Sequence, residues 1–196
     1  MSLVLASASA SRRRMLEAAG LSFEIQAPHA DEEAAKASLR AAGLSPRDQA
    51  DALAELKALS VSRRRPGFVI GADQMLAIEG EVLDKPKDMA EARTHLLRMR
   101  GKTHELLSAA VVAREGVIIW RHIDTPRLKM RAFSDAFLDE YLAAVGPGAL
   151  ASVGAYQLEG LGAQLFERVE GDFFSVLGLP LLPLLAFLRE HKVVTS

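Results

Sequence analysis

The chain has 196 residues, 49% of them hydrophobic and 25% charged, and its 24 Lys and Arg against 25 Asp and Glu give a formal net charge of -1. That apolar share supplies one substantial core, a single domain over 1–196 with room for two lobes around a shared sheet, while the near-neutral balance gives no global positive charge to hold a nucleic acid. With no cysteine, disulfide frameworks, thiolate nucleophiles and zinc–thiolate sites are excluded, and the composition accords with a cytoplasmic protein.

In chain order, Leu3 to Ala6 is a short apolar run of buried-strand type, and its apolar-then-basic order is the reverse of a secretory signal. Small polar residues follow, then an amphipathic helix from Arg12 to Ala19 closed by Gly20. From His29 to Asp51 the composition turns to Ala, Glu, Asp and Arg, with Asp31, Glu32 and Glu33 read as a loop, Pro46 as a break and a helix resuming over Gln49 to Arg63. Phe68 to Ile70 is again buried-strand in pattern and runs into Gly71, Ala72, Asp73 and Gln74, so a carboxylate stands at a strand's carboxyl end.

Asp88 and Glu91 form a capping-box-like start to a helix that carries Ala92, Leu96 and Met99 on one face and stops at Gly101. Leu106 to Ala113 and Val117 to Ile123 predict a hairpin turned by Arg114 to Gly116, and Arg127 to Phe133 alternates as a strand beside it. Ser134 caps a helix through Val145, and Pro180 opens a final helix after a glycine-rich stretch from Gly154 to Gly178. The apolar run Leu177 to Leu188 is interrupted by prolines and is shorter than the roughly 20 residues of a membrane span, which predicts no membrane partner.

Chemistry concentrates in a few places. Ser7, Ser9, Ser11, Arg12, Arg13 and Arg14 lie between the first strand and the first helix. Arginines in a first helical turn oppose the helix dipole unless an anion sits there, and small residues, hydroxyls and guanidinium forks suit a triphosphate tail. An ordinary surface helix with solvated arginines accounts for the same spacing. Asp31, Glu32, Glu33 and Asp73 are of the type that holds a hard divalent cation together with phosphate oxygens, although carboxylates are common and Asp73 is distinguished only by its strand end. Lys85, in the turn Leu83 to Lys87, could neutralise phosphate charge. Glu159 to Ala163 only superficially suggests a dinucleotide fingerprint, because the third glycine is missing. His104, set among strand residues, reads as structural.

Taken in order, these pieces resemble the Maf family of nucleotide pyrophosphatases over nearly the whole chain. Leu5, Ala6, Ser7, Ser9, Arg12 and Leu16 resemble that family's opening L-A-S-x-S-x-x-R motif, with Ala10 and Ser11 departing from its usual Pro-Arg, and Asp31 with Glu32 resemble its D-E pair. Leu53, Ala54, Lys57 and Ala58 are similar to its L-A-x-x-K-A helix, Gly71 to Asp73 to its G-A-D strand end, and Gly80, Glu81, Lys85 and Pro86 to its G-E-x-L-x-K-P turn. Gly101 and His104 match its G-x-T-H, and Gly154 to Tyr156, Glu159, Gly160, Gly171, Asp172, Val176 and Gly178 to Pro180 resemble its closing block.

The resemblance implies an α/β fold, a mixed sheet flanked by helices with two lobes around a cleft, as in inosine triphosphate pyrophosphatases. It also implies frequent homodimers, a nucleoside triphosphate as substrate, Mg²⁺ or Mn²⁺ as cofactor, and hydrolysis to monophosphate and pyrophosphate. Ser7, Ser9, Arg12 and Arg13 would then hold the triphosphate, Lys57 and Lys85 would offset charge on the leaving group, Asp73 would orient or deprotonate water, and Glu32 with Asp73 would bind metal. Gln74 after Asp73, and Glu159 where a sister branch carries glutamine, resemble the branch acting on 7-methyl-GTP, with a buried glutamate accepting from a guanine edge. Gly154 to Tyr156 resemble instead the branch acting on dTTP and UTP. The rival readings are a non-catalytic nucleotide-binding regulator of septum formation and a nucleic-acid module using Arg12 to Arg14 and Arg63 to Arg65, the latter disfavoured by neutral charge and few aromatics.

Overall fold

A computed structural model describes residues 2–195. Those residues form a mixed α/β protein of eight strands and seven α-helices. It divides into two compact units: of the described residues, 2–74, 108–124 and 172–195 form the first, and residues 75–107 and 125–171 the second.

In the first unit β1 (Leu3–Ala6) pairs in parallel with β2 (Glu24–Ile25) and with the first half of β3 (Phe68–Ile78). The far half of β5 (Thr103–Arg114) pairs antiparallel with β6 (Val117–Asp124). Glu115 and Gly116 both take positive φ at this hairpin, as the tight turn between two right-twisted strands requires. The helices are α1 (Ala10–Ala18), α2 (Glu32–Ala41), α3 (Pro46–Ser62), α6 (Phe173–Val176) and α7 (Leu181–Glu190).

Every residue of β1 is buried, because helices cover both faces of the sheet. Leu3 and Leu5 point with Phe68 and Ile70 toward Met15 and Leu16 of α1 and Leu184, Phe187 and Leu188 of α7. Val4, Ala6 and Val69 point the other way, onto Val61 of α3. The period of two therefore sorts β3 as well: Gly71 and Asp73 share the α3 face, and Ala72 and Gln74 the face of α1 and α7. Gly71 is where α3 comes closest, since a Cβ there would lie 2.2 Å from the Ala54 carbonyl oxygen and 2.5 Å from the Ala58 nitrogen. Trp120 of β6 closes the α7 side, its ring 5.4 Å from Phe187 and 6.0 Å from His122.

In the second unit the end of β3 pairs antiparallel with β4 (Glu81–Leu83), and β5, β7 (Arg127–Met130) and β8 (Phe166–Glu170) form an antiparallel run. Its helices are α4 (Met89–Met99), capped by Asp88, and α5 (Asp135–Val145), capped by Ser134. His104 is buried with its Nε2 2.7 Å from the Tyr156 hydroxyl, and both rings pack on Phe166. Tyr141 donates to the Ala155 carbonyl at 3.1 Å. Burial lowers the His104 pKa to about 4, so this polar knot is neutral near pH 7.

No helix among the described residues is long and apolar enough to cross a membrane. The segment read as a loop around Asp31 is a helix start: Asp31 is the N-cap of α2 and accepts from the Ala34 amide at 3.0 Å, so Glu32 and Glu33 occupy the first helical turn. An Asp followed by two glutamates is a favourable N-terminus for a helix, since acidic groups complement the positive end of its dipole.

Candidate active site

The close approach at Gly71 brings Lys57, one turn along α3 between Ala54 and Ala58, against the middle of β3. Lys57 Nζ donates to Asp73 Oδ1 at 2.7 Å and forms an ion pair with Glu32 Oε2 at 2.9 Å. Lys57 is 6% exposed and Asp73 7%, and Glu32 reaches them from the first turn of α2. Two carboxylates thus share one ammonium.

Arg12 is the fourth charge. It is 8% exposed although three arginines run in succession through α1. Its Nε donates to the Gly178 carbonyl at 2.8 Å and its Nη1 to Ser7 Oγ at 3.3 Å, both neutral acceptors. Desolvation pushes its pKa below the ordinary arginine value, while the fields of Asp73 and Glu32 pull it back up. Ser7 Oγ also accepts from the Ser9 amide at 3.2 Å, and Ser9 caps α1, its Oγ 3.4 Å from the Arg12 amide. The seryl loop and the arginine therefore form one hydrogen-bonded turn at a helix N-terminus.

The structure brings together Ser7, Ser9 and Arg12, and it gathers Glu32 and Asp73 on Lys57. Arg13 stands apart from them, exposed and paired with Glu17 at 3.6 Å. Glu33 pairs with Lys36 at 3.0 Å on the outer side of α2. Lys85 belongs to the second unit, exposed just past β4. Glu159, expected to be buried against a base, is exposed in the turn closed by the Gly160 amide on the Gln157 carbonyl.

Gln74 faces away from Asp73, as strand alternation requires. Its Nε2 donates to Ser108 Oγ at 2.8 Å, the Ser175 carbonyl at 3.0 Å and the Val176 carbonyl at 3.1 Å. The sequence reading missed Ser108, Ser175 and Asp124, whose carboxylate accepts from Ser175 Oγ at 2.6 Å. Ser108 did leave a signal: a hydroxyl in the otherwise apolar run Leu106 to Ala113 must find a partner once buried. Ser175 and Asp124 left none, because their meeting depends on where the chain returns.

The chemistry of the donor set bears on a metal ion. Among the described residues no three His, Asp or Glu side chains gather as a ready-made cage. Mg²⁺ does not need one, since it takes one or two carboxylates and completes its shell with water and phosphate oxygens. Arg12 and Lys57 are balanced by Asp73 and Glu32, so these four groups carry no net charge toward a triphosphate. A divalent cation held by Asp73 and Glu32 would supply positive charge that these four groups lack, and the donor chemistry fits that role.

The sequence places Asp73 at the end of a short strand, but β3 continues through it to Ile78, so the carboxylate stands mid-strand, just past the stretch paired with β1. A mid-strand carboxylate braced by a buried lysine, beside a seryl–arginyl helix N-terminus, defines an α/β protein equipped for a phosphorylated ligand. The model of the family described as Maf-like protein matches residues 2–191. A Caulobacter vibrioides protein named nucleoside triphosphate pyrophosphatase is 53% identical over 193 residues, covering 98% of this chain and 97% of its own. One of the same name from Rhodospirillum rubrum is 54% identical over 195 residues, 99% of this chain and 96% of its own. A Mesorhizobium japonicum protein named 7-methyl-GTP pyrophosphatase is 53% identical over 188 residues, 95% of this chain and 94% of its own. The chain belongs to the Maf family.

Proposed function

We propose that this protein is a nucleoside triphosphate pyrophosphatase that converts a non-standard or modified nucleotide to its monophosphate and pyrophosphate. The observation that carries the reading is the Glu32–Lys57–Asp73 cluster beside buried Arg12. It places a carboxylate fixed in orientation next to a guanidinium with neutral partners. Arg12 and the Ser7–Ser9 turn hold phosphate oxygens by charge-assisted hydrogen bonds. Lys57 keeps Asp73 in one rotamer and lowers the cost of charge building up on the departing group. Asp73 accepts a proton from water as the water oxygen bonds to phosphorus at the α–β anhydride and the bridging P–O bond breaks, releasing pyrophosphate. A divalent cation held by Asp73 and Glu32 would offset phosphate charge and polarise a phosphoryl oxygen. For Lys85 we propose a role at the phosphates as well, from its place in the G-E-x-L-x-K-P turn.

Identity does not choose the base, because relatives of both names match about equally. 7-Methyl-GTP is the first candidate, through the Mesorhizobium japonicum relative and the Gln74 and Glu159 signature. The test is incubation of wild type and Asp73→Asn with Mg²⁺ or Mn²⁺ and a panel of 7-methyl-GTP, dTTP, UTP and the standard triphosphates. Wild type is expected to release pyrophosphate, and the variant to lose roughly 100- to 10,000-fold in kcat. Binding without release by wild type would leave a non-catalytic regulator instead.

A further inference from the structure

The turn between α6 and α7 is held at several points, all within the first unit. On one side, the Ser175 carbonyl accepts from Ser108 Oγ at 2.6 Å, Gln74 Nε2 at 3.0 Å and the Gly178 amide at 3.1 Å. From below, Ser175 Oγ donates to Asp124 at 2.6 Å, and Asp172 caps the Ser175 amide at 2.7 Å. On the other side, the Leu177 and Gly178 carbonyls accept from α1, from Ser11 Oγ at 3.1 Å and Arg12 Nε at 2.8 Å. Gly178 has φ +101°, a conformation that aims its carbonyl at Arg12 and strains any other residue. The position of Arg12 therefore depends on this turn, and the turn depends on Gln74.

The Gln74 amide nitrogen is occupied. Its protons are shared among a hydroxyl and two carbonyls, and its Oε1 faces Gly178, where an added Cβ would lie 3.6 Å away. Nothing in that arrangement offers the amide donor to a nucleobase. We infer that Gln74 is a positioning residue for the phosphate end of the ligand: with Ser108 it fixes the 175–178 turn, and through the Gly178 carbonyl it fixes the Arg12 guanidinium. It does not read the base. This rests on Arg12 being a phosphate ligand, and a ligand without a base separates the two ideas.

The probe is inorganic tripolyphosphate, titrated calorimetrically with Mg²⁺ against wild type, Gln74→Met, Ser108→Ala, Arg12→Ala and the Gln74→Met/Arg12→Ala pair. KM is measured in parallel for 7-methyl-GTP, dTTP, UTP and GTP. Gln74→Met keeps the side-chain length and removes the donors. The inference expects it to weaken tripolyphosphate roughly 3- to 10-fold and to raise every KM by that same factor, leaving the ranking of bases unchanged. Ser108→Ala acts in the same direction, and it carries the test if Gln74→Met does not fold. In the Arg12→Ala background the glutamine substitution adds nothing, the non-additivity expected of one mechanical chain.

Unchanged tripolyphosphate binding with an altered ranking of bases would overturn the inference, as would a full additional loss in the Arg12→Ala background. Tight tripolyphosphate binding by a wild type that hydrolyses no nucleotide removes the proposed activity and leaves this inference standing. Tripolyphosphate bound no better by wild type than by Arg12→Ala removes both.

Discussion

The two units differ in buried charge: the first buries ions beside neutral groups such as Ser108 and Ser175, and the second buries the neutral pair of His104 and Tyr156. In the first, Arg12, Lys57 and Asp73 are charged, and each retains capacity for a further partner: Lys57 is divided between two carboxylates, and Arg12 rests on a hydroxyl and a carbonyl. In the second, His104 and Tyr156 are neutral and satisfy each other at Nε2 and the hydroxyl. Burying an ion is costly, and a chain keeps such ions where an incoming ligand offsets the cost. A neutral pair carries no charge for a ligand to offset, although His104 Nδ1 is buried without a hydrogen-bond partner. Buried polarity alone thus does not mark a site, whereas buried charge with neutral or shared partners does.

The comparison can be broken first at Gly71. Gly71→Ala drives a methyl into the α3 backbone and is expected to cost more than about 3 kcal/mol in urea unfolding. An intact variant that kept full activity would show that α3 need not touch β3 for Lys57 to reach Asp73.

Acid sharpens the other half. The folded His104 titrates near 4, below the ordinary histidine value of 6.5. Above pH 6.5 both folded and unfolded states are neutral there, and nothing changes. As pH falls from 6.5 toward 4 the unfolded chain takes up a proton that the fold refuses, so stability drops by up to about 3 kcal/mol and then levels off. His95 is also pushed down, by burial, so the measurement is the difference between wild type and His104→Asn in unfolding free energy from pH 7.5 to 4.5. Parallel curves would show that the His104 proton is not excluded from the fold.

The smallest effect belongs to Arg13. Exposed and paired only across one helical turn with Glu17, it is expected to change stability by less than about 0.5 kcal/mol on substitution by Ala. Tripolyphosphate affinity should fall by less than roughly 3-fold, against a larger but still measurable loss of roughly 10- to 100-fold in Arg12→Ala. Equal losses would place both arginines on the phosphates.

Much of this was legible from local pattern. The apolar run at Leu3, the caps at Asp88 and Ser134 and the hairpin at Arg114 to Gly116 all announce themselves within a few residues, because capping, turn chemistry and period-two burial are short-range effects; Asp73 was legible as a strand carboxylate but not as a mid-strand one, since β3 runs on to Ile78. The acidic run Asp31 to Glu33 already offers Glu32, and the Maf motifs add Lys57 to the list of candidates. What the sequence could not announce is which of three consecutive arginines turns inward, since that is decided by the Gly178 carbonyl 166 residues away. Gln74 is the same case: its neighbours along β3 say which face it takes, and only the returning chain at Ser175 and Val176 says what waits there. Glu159 shows the converse, a motif position whose burial was inferred from chemistry and refused by the turn that carries it.

Trp120 is the protein's one tryptophan, and it stacks within the first unit, whereas both tyrosines, Tyr141 and Tyr156, belong to the second. The molecule thereby carries two natural optical labels. Indole emission excited at the red edge of its absorption follows the unit that holds Arg12 and Asp73, and the near-ultraviolet dichroism of the phenols follows the unit that holds His104. Superimposed melting curves at the two wavelengths would establish a single cooperative transition, and separated ones would give each unit its own midpoint without any engineered probe.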